Sequence, residues 1–519
     1  MAAEIELKLT LDPAALKAFR ASPVLAGLRP SRQRVLNTYF DTPDCLLARE
    51  RMALRLRRIG RRWLQTLKTA GTAAGGLSRR GEWEFAVPEG VLDLAFFQDT
   101  PLAELKVAPR LHEFLQPAFT TDFQRTRWLI EPAPGQRVEV ALDVGEVRCA
   151  DQVMPLCEVE LELLEGEPET LLTLARALVA SLPLMPARAS KAERGYRLFR
   201  GEPLAVVKAR AVKLDPDDTP AHALRVCVAA GVDHFLANVE GALASDDPEF
   251  IHQLRVALRR LRSLLRLFKV EAPQADLKWL AAMLGAARDW DVFVTEVWPP
   301  LSTALTNLNA AEGAGADELG AVMERAASAR RAARYEARAA LRAPRTALLI
   351  LALADLALSG EPTAVKPTGQ VTPLPAPDGL PPLSPPPESL LAFATRHIRR
   401  RHKRLLRDAD GLAGMNAAAR HQVRIDAKKL RYAVDGFAGL YRRERLDRWL
   451  TTLAAIQAAL GEANDAATAL GLLDRLAPSP GLQRFAQGWF AAKAEAHAGD
   501  VVHLFAEFAA VRRFWTRVR

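Results

Sequence analysis

Two carboxylates and an ammonium group share one face of the first predicted strand. Glu4, Glu6 and Lys8 alternate with aliphatic residues, and alternate side chains of a strand point to opposite faces. Carboxylates bind hard cations such as Mg²⁺ or Mn²⁺, whereas lysine and arginine bind phosphate oxygens. A row of this composition is therefore suited to a phosphate compound that carries a metal ion.

The same alternation returns along about the first 200 residues. Each further predicted strand carries acids or bases on one face, and these are Arg55 and Arg57; Arg80, Glu82 and Glu84; Arg125 and Arg127; Glu139 and Asp143; and Glu158, Glu160 and Glu162. An ordinary half-buried sheet turns such a face to water, and that interpretation suits any single strand. Charged faces on so many strands instead favour a closed sheet with a wet, charged lumen and an apolar outside covered by helices.

Such a lumen would hold a metal-chelated polyphosphate, and the chemistry it suggests is phosphoryl transfer. These charged residues resemble the pattern of a known family. The ExExK row of Glu4, Glu6 and Lys8 resembles the signature of the CYTH domain, in the triphosphate tunnel metalloenzyme superfamily. Further matches follow in order in the segments ALRLRR, TLKT, RRGEWEF, QRTRW, ALDVG, CEVELEL and SKAER. The resemblance covers about the first 200 residues and implies a tunnel-like antiparallel barrel that hydrolyses inorganic triphosphate.

The resemblance also implies roles for individual residues. The residues expected to clamp phosphate oxygens during transfer are Lys8, Arg55, Arg57, Lys68, Arg125 and Arg127. Further substrate contacts are expected from Arg80, Lys191 and Arg194, with Ser190 and Lys191 closing one end of the tunnel. The residues expected to hold one or two Mg²⁺ or Mn²⁺ ions are Glu4, Glu6, Asp143, Glu158, Glu160 and Glu162. Glu82 and Glu84 are expected to orient the basic residues.

The rest of the chain changes character. Residues 1–200 carry 28 basic against 26 acidic residues, whereas residues 201–519 carry 43 against 35, so the second section calls for an anionic partner. Its pattern is helical and rich in Ala and Leu, which predicts a tunnel domain at 1–200, a linker at 201–217 and a helical domain at 218–519. A proline-rich linker at about 359–387 divides the helical domain into halves at about 218–358 and 388–519.

The two halves form an internal repeat. The segment HQLRVALRRLR aligns with HQVRIDAKKLR at a constant offset of 169 residues. Helical spacing places the basic residues on one stripe and the apolar residues on a neighbouring stripe. The predicted anion contacts are His252, Arg255, Arg259, Arg260, Arg262 and Arg266 in the first half, and His421, Arg424, Lys428, Lys429 and Arg431 in the second. Because the same spacing occurs twice, we expect two basic rows to face a shared groove, with a third basic helix over Arg396–Arg407.

A second repeated segment, LGAARDWDVF against LGEANDAATA, completes a resemblance to the CHAD domain, a helical module of two related halves. The resemblance covers about 300 residues and implies binding of long-chain polyphosphate. The second half departs from the first at Ala467, which aligns with Asp291, and in carrying Lys428 and Lys429 where the first half has arginines. Lysine keeps the charge but lacks the bidentate fork of arginine, so the halves are expected to contribute unequally.

Composition bounds the location of the protein. Four cysteines without metal-ligand spacing read as isolated, reduced thiols, and no leader or membrane segment is recognised, so a cytoplasmic location, with association to polyphosphate granules, is expected. Aromatic residues do not interleave the basic rows, which argues against single-stranded nucleic acid as a partner. Nucleic acid is supported by net charge alone.

The sequence therefore predicts a multidomain chain, an α+β closed antiparallel β-barrel followed by an all-α bundle of two related halves. The expected partners are inorganic tripolyphosphate in the barrel and polyphosphate on the helices. Three alternatives stay open. The barrel could act on an organic triphosphate, as thiamine triphosphatases and adenylate cyclases of the same superfamily do. The protein could instead be a non-catalytic polyphosphate receptor or granule-associated adaptor, or a nucleic-acid binder.

Overall fold

The computed structural model describes residues 3–88, 90–105, 108–309, 316–359 and 388–516. The ten strands are β1 (Ala3–Leu11), β2 (Ser31–Asp41), β3 (Met52–Ile59), β4 (Arg62–Thr69), β5 (Thr72–Ala74), β6 (Leu77–Val87), β7 (Gln116–Ala133), β8 (Gln136–Cys149), β9 (Gln152–Glu165) and β10 (Leu184–Pro186). The helices between them are α1 (Leu16–Arg20), α2 (Leu46–Arg49), α3 (Glu169–Val179) and α4 (Lys191–Phe199), with single 3₁₀ turns at Pro13–Ala15, Pro23–Leu25, Leu94–Phe97 and Ala108–Glu113.

The strands form one antiparallel sheet in the order β10-β1-β9-β8-β7-β2-β3-β4-β6-β5. An additional pairing of β1 with β6 closes eight of these strands into a barrel, which β5 and β10 flank. Closure leaves the barrel without free edges, and one face of every strand points into a lumen. The predicted closed barrel is confirmed.

Alternation along each strand separates the two faces of the barrel. Leu7, Leu9, Val159 and Leu161 are fully buried on the outside, where α3 and a later helical segment cover them. The charged residues between them face inward. Burial of the aliphatic face stabilises the barrel by roughly 25 cal/mol for each Å² removed from water, and it fixes the strand register because a slip of one residue would expose this face.

The helical part contains ten α-helices among the described residues. They are α5 (Pro220–Ala244), α6 (Pro248–Leu267), α7 (Gln274–Val292), α8 (Trp298–Asn309), α9 (Ala316–Arg342), α10 (Pro344–Ser359), α11 (Leu390–Asp408), α12 (Ala417–Gly436), α13 (Arg443–Asp474) and α14 (Pro480–Ala510). A π-helical turn at Phe293–Val297 joins α7 to α8, and 3₁₀ turns lie at Leu412–Gly414, Ala438–Leu440 and Phe514–Thr516. The predicted all-α domain is confirmed, whereas the proline-rich linker falls almost wholly outside the described residues.

Two compact units emerge from the contacts. The first contains 1–207 together with 232–245 and 341–358, and the second contains 208–231, 246–340 and 359–519. In the first unit, Ala347, Leu351 and Ala354 of α10 pack into the apolar cluster outside the barrel, and Arg176 of α3 donates to Asp355 at 2.8 Å. Helix α10, which follows the predicted linker, thus contributes to the apolar core outside the barrel, and residues 232–245 belong to the same unit.

The two basic helices are capped and amphipathic. Helix α6 begins four residues before the repeated segment, because Asp247 accepts a hydrogen bond from the backbone N–H of Glu249 and Pro248 occupies the first turn. Asn416 caps α12 in the same way through the N–H of Ala419. The apolar stripe of each helix is buried, so the neighbouring basic stripe lies at its edge.

Helix α5 is long and apolar enough to cross a membrane by length and composition, and it is the single helix of the described residues that passes this test. The sequence pattern had not singled it out. A core helix of a soluble protein passes the same test, and Val228, Val232, Phe235 and Val239 of α5 are buried in the protein interior. The feature is therefore weak support for a membrane span.

Candidate functional site

The lumen of the barrel carries a network of nine acidic and nine basic side chains among the described residues. The acids are Glu4, Glu6, Glu82, Glu84, Glu139, Asp143, Glu158, Glu160 and Glu162, and the bases are Lys8, Arg55, Arg57, Lys68, Arg80, Arg125, Arg127, Lys191 and Arg194. Strand pairing places many of them opposite one another, for example Glu4 with Arg80 and Arg125 with Asp143. Every residue predicted for the tunnel site belongs to this one network.

The two glutamates of β1 are held by cations from neighbouring strands. Lys68 of β4 donates to Glu4 at 2.8 Å, and Arg80 of β6 donates to Glu4 at 2.9 Å and to Glu6 at 2.5 Å. Lys8 donates to Glu6 at 2.7 Å. Burial alone would raise the pKa of Glu4, but the Lys68 and Arg80 charges outweigh it and hold that pKa well below its usual value.

A second acidic cluster lies where β8 and β9 meet helix α4. Oxygen atoms of Asp143, Glu158 and Glu160 lie within 4.8 Å of one another, a spacing that could hold a metal ion. Lys191 donates to Glu160 at 2.9 Å and also to Glu158, and it forms an ion pair with Asp143 at 2.7 Å. The lysine predicted to contact substrate thus lies inside a predicted metal site.

Glu162 differs from the other carboxylates of its row. No ion pair to it is present among the described residues, and burial together with the charges of Glu4 and Glu139 raises its pKa to about 7. Strand pairing sets Glu162 opposite both Glu6 and Glu139. This group of carboxylates therefore carries negative charge that its own cations do not fully offset.

The opposite wall is basic and incompletely paired. Burial, then repulsion by Arg55 and Arg125, lowers the pKa of Arg57 to about 10, and its nearest carboxylate, Glu84, lies 3.6 Å away. The Nε atoms of Arg55 and Arg127 are buried and find no hydrogen-bond partner within the described part of the chain. Unsatisfied buried donors are costly, so this wall is arranged for an anionic acceptor.

Several neutral residues of the site escaped the sequence analysis. Asn37 is fully buried, accepts from Arg57 Nε at 2.9 Å and donates to Thr121 at 2.8 Å. The phenol of Tyr39 contacts Arg55, and despite burial the surrounding cations lower the pKa of Tyr39. The alternation of β2 is the sequence signal that places both residues on the lumen face, but neither carries a charge that would mark it.

Helix α4 is fixed against the barrel, which positions Lys191 and Arg194. Ser190 and Glu193 form a reciprocal capping box at its first turn. Gly195 allows close packing, because a Cβ atom there would lie 2.0 Å from the ring of Phe119. Arg194 pairs with Glu158, and Lys191 also lies 5.2 Å from the centre of the Phe123 ring. The helix thus presents both cations inward.

Carboxylate oxygens from three strands fit a divalent cation such as Mg²⁺ or Mn²⁺, which prefers hard oxygen ligands. The donors available are the Asp143, Glu158 and Glu160 cluster and the underneutralised group around Glu162. Glu82 pairs with Lys68 and Arg55, and Glu84 lies beside Arg57. These two acids contact the basic wall, as the sequence analysis expected.

In the second unit, the basic rows of α6 and α12 face each other in part. Lys428 interacts electrostatically with Arg255 and Arg259, and both arginines also lie near His252. Burial and these like charges lower the pKa of Lys428. Arg259 and Arg262 each have a buried Nε atom without a hydrogen-bond partner.

The other basic residues predicted as anion contacts on α6 and α12 have different neighbours from those of Arg255, Arg259 and Lys428. Arg260 lies near Asp435 and Cys227 instead, and Arg266 neighbours Arg262. Among the described ion pairs, one predicted cation of the first half pairs with a carboxylate, Arg255 with Asp289. Three of the second half do so, namely Arg424 with Asp465, Lys429 with Asp426 and Arg431 with Asp435. The two halves therefore differ in how much positive charge they leave for a ligand.

We predict unequal consequences for two arginines of the tunnel that are equally buried, Arg125 and Arg57, whose side chains are 13% and 15% exposed. Arg125 donates to Asp143 and Glu160, both at 2.6 Å, so Arg125→Met leaves buried carboxylates short of a partner and costs about 3 kcal/mol of stability. Arg57→Met removes a charge that its surroundings disfavour, which partly offsets the loss of its hydrogen bond to the buried Asn37, so it costs about 1 kcal/mol of stability. Urea denaturation measures both; equal losses would contradict this assignment.

Comparisons with known proteins agree with this architecture. The family model of the CYTH domain matches residues 2–196, and that of the CHAD domain matches residues 226–474. An inorganic triphosphatase of Haemophilus influenzae is 34% identical over 206 residues, which are 38% of this chain and 55% of that protein. The matched region thus spans about half the length of that relative.

Two solved structures are also similar. The CHAD domain from the plant Ricinus communis is 30% identical and covers 61% of this chain and 99% of its own, with a TM-score of 0.49. HpAC1 from Hippeastrum, described as having a dominant triphosphatase activity, is 20% identical and covers 38% of this chain and 97% of its own, with a TM-score of 0.29. The chain belongs to the CYTH family through residues 2–196 and to the CHAD family through residues 226–474.

Proposed function

We propose that the barrel hydrolyses inorganic triphosphate to phosphate and pyrophosphate with Mg²⁺ or Mn²⁺. The observation that carries this proposal is the division of one closed lumen into an acidic side and an underpaired basic side. Glu162 lies among like-charged carboxylates, whereas Arg57 lies among like-charged guanidinium groups. A guest that brings cation and phosphate together relieves both kinds of repulsion, whereas either component alone relieves only one.

The basic wall binds and orients the triphosphate. Arg55, Arg57 and Arg127 offer donors that lack full protein partners, and guanidinium groups suit phosphate oxygens because they donate in a fork. Asn37 and Tyr39 hold the guanidinium groups of Arg57 and Arg55 in place. These preorganised donors stabilise the charge that develops on the phosphoryl oxygens in the transition state.

The acidic side completes the reaction. A divalent cation held by Glu4, Glu6 and the carboxylates of β8 and β9 would neutralise the phosphate charge and polarise the terminal phosphoryl group. A water molecule hydrogen-bonded to a carboxylate of the Glu158, Glu160 and Glu162 row attacks the terminal phosphorus. Its proton passes to that carboxylate, the terminal P–O bond breaks, and pyrophosphate leaves.

Similarity to an inorganic triphosphatase supports the inorganic substrate. The match covers the tunnel part, and a fold shared with other triphosphate enzymes guides the choice of substrate only weakly. Thiamine triphosphate and ATP are therefore the competing substrates, and a protein that binds polyphosphate without hydrolysis is the competing function.

We predict that purified protein releases phosphate from tripolyphosphate only with Mg²⁺ or Mn²⁺, and faster than from ATP or thiamine triphosphate. Glu4→Gln/Glu6→Gln is expected to lose at least about hundredfold in rate because both carboxylates face the lumen. Glu146→Gln is the matched control, since Glu146 lies on the same barrel but pairs with Arg148 at the exposed surface. Full activity of the double variant would contradict the assignment.

We further propose that the helical unit binds long-chain polyphosphate through the cluster of Arg255, Arg259 and Lys428. Support comes from the mutual repulsion of these cations and from the unpartnered Nε of Arg259. A chain of phosphates offers acceptors at short intervals, so it suits cations that neighbour one another. The isolated thiols are consistent with a cytoplasmic location, which we propose for the protein.

Polyphosphate binding should depend on α6 more than on α12. Arg259→Gln is expected to weaken binding of long-chain polyphosphate about tenfold, because the described residues provide no carboxylate in an ion pair with its guanidinium. Arg431→Gln, which removes a partly buried arginine already paired with Asp435 at 3.6 Å, should change binding less than about threefold. Titration with labelled polyphosphate measures both, and duplex DNA serves as the competitor. Equal effects, or stronger binding of DNA, would contradict the proposal.

A further inference from the structure

Lys191 occupies an unusual position for a phosphate contact. Its ammonium group lies 2.7 Å from Asp143 and 2.9 Å from Glu160, and it also donates to Glu158. The side chain is 7% exposed, its two hydrogen bonds go to Glu158 and Glu160, and its ion pair with Asp143 adds a third carboxylate contact. An ammonium group has three donors, so its bonding capacity is spent on this carboxylate cluster.

The same three carboxylates form the metal-type cluster of the described residues. Arg125 also contacts Asp143 and Glu160, and Arg194 contacts Glu158. Each of these arginines contacts part of the cluster. Among the described ion pairs, the Lys191 nitrogen is the one cation that contacts all three members. A divalent cation with oxygen ligands at about 2.1 Å would need the space between these oxygens, where the ammonium now lies.

Lys191 and a divalent cation therefore cannot share the cluster. Their charges repel each other in a site shielded from water, where screening is weak. The lysine can leave without movement of its helix, because four flexible methylene groups separate the ammonium from a backbone that the capping box and the Gly195 contact hold in place.

We propose that Lys191 is an exchangeable counter-ion of the Asp143, Glu158 and Glu160 cluster. A divalent cation displaces the ammonium, and the freed ammonium then binds a phosphate oxygen of the triphosphate. Cation binding and phosphate binding are coupled through this one side chain. The inference rests on the proposed metal-dependent function of the tunnel and adds the order in which its charges change partners.

A general electrostatic effect is the alternative, since removal of any lumen cation favours metal binding. Lys8 is the matched control. It is equally buried, with its side chain 6% exposed, and it lies 2.7 Å from Glu6 and 3.6 Å from Glu160. It therefore contributes the same charge to the same lumen but has no contact with Asp143 or Glu158 among the described ion pairs.

The test measures Mn²⁺ binding to the full chain without triphosphate. Electron paramagnetic resonance of the free ion reports how much Mn²⁺ is bound. Exchange predicts that Lys191→Met binds Mn²⁺ at least about tenfold more tightly than the wild type, and Lys8→Met less than about threefold more tightly. Lys191→Arg, which keeps the charge, should bind no more tightly than the wild type. Equal tightening by the two methionine variants, or none by Lys191→Met, would overturn the exchange.

A second measurement, of the unfolding temperature, tests the proposal even if Lys191→Met folds poorly. Removal of the ammonium leaves three neighbouring carboxylates, so its unfolding temperature should fall without metal and recover with Mn²⁺, more than that of Lys8→Met. An equal recovery in both variants contradicts the exchange. Mn²⁺ binding by the wild type without tightening in Lys191→Met would overturn the exchange alone, whereas no Mn²⁺ binding by any form would overturn the metal-dependent function as well.

The coupling has its own measurement, with the imido analogue of tripolyphosphate as the probe because it resists hydrolysis. Without Mn²⁺, Lys191 stays on the carboxylates, so Lys191→Met should weaken binding of the probe only through the positive charge that the lumen loses. With Mn²⁺, the ratio of the wild-type affinity to the affinity of the variant should rise at least about fivefold. The same ratio with and without Mn²⁺ would show that the lysine is not exchanged.

Discussion

Opposite charges in the lumen of a closed barrel attract strongly because little water separates them. The same confinement makes every unpaired charge costly, so each acid and base must find a partner from the chain or from a ligand. Barrel closure between β1 and β6 is what enforces this constraint, since it brings Glu4 and Glu6 against Arg80 and Lys68. The charged network depends on that closure. The choice of ligand depends on it as well.

The network is balanced in number but not in space. Arg125 is fully engaged by two carboxylates at 2.6 Å, whereas Arg57 lies between other cations. On the opposite side, Lys191 engages three carboxylates while Glu162 engages no cation directly among the described ion pairs. A neutral guest would leave both imbalances in place. A cation complexed to a triphosphate removes both, which explains why a tunnel should contain acids and bases rather than one sign of charge.

Sequence alternation predicted the barrel, its charged lumen and the residues that line it, because every second residue of a strand lies on the same face. It could not state which charges pair, since partners such as Lys191 and Asp143 come from elements that only the closed fold brings together. Asn37 and Tyr39 were not predicted because neutral residues do not contribute to a pattern of charges. The partners of Arg259 and Arg260 could not be predicted either, because neighbouring positions on a helix point about 100° apart and only packing decides that Arg259 meets Lys428 of α12 whereas Arg260 meets Asp435. The packing of α10 on the barrel is equally non-local.

The central claim is that one lumen holds a divalent cation and a triphosphate on opposite sides. A crystal structure with Mn²⁺ and the imido analogue of tripolyphosphate tests it most directly, since the anomalous signal of manganese locates the ion independently of the phosphates. The claim predicts manganese in contact with the carboxylates of β1, β8 and β9, and phosphate groups beside Arg55, Arg57 and Arg127. Manganese or the phosphate chain bound outside the lumen would contradict it.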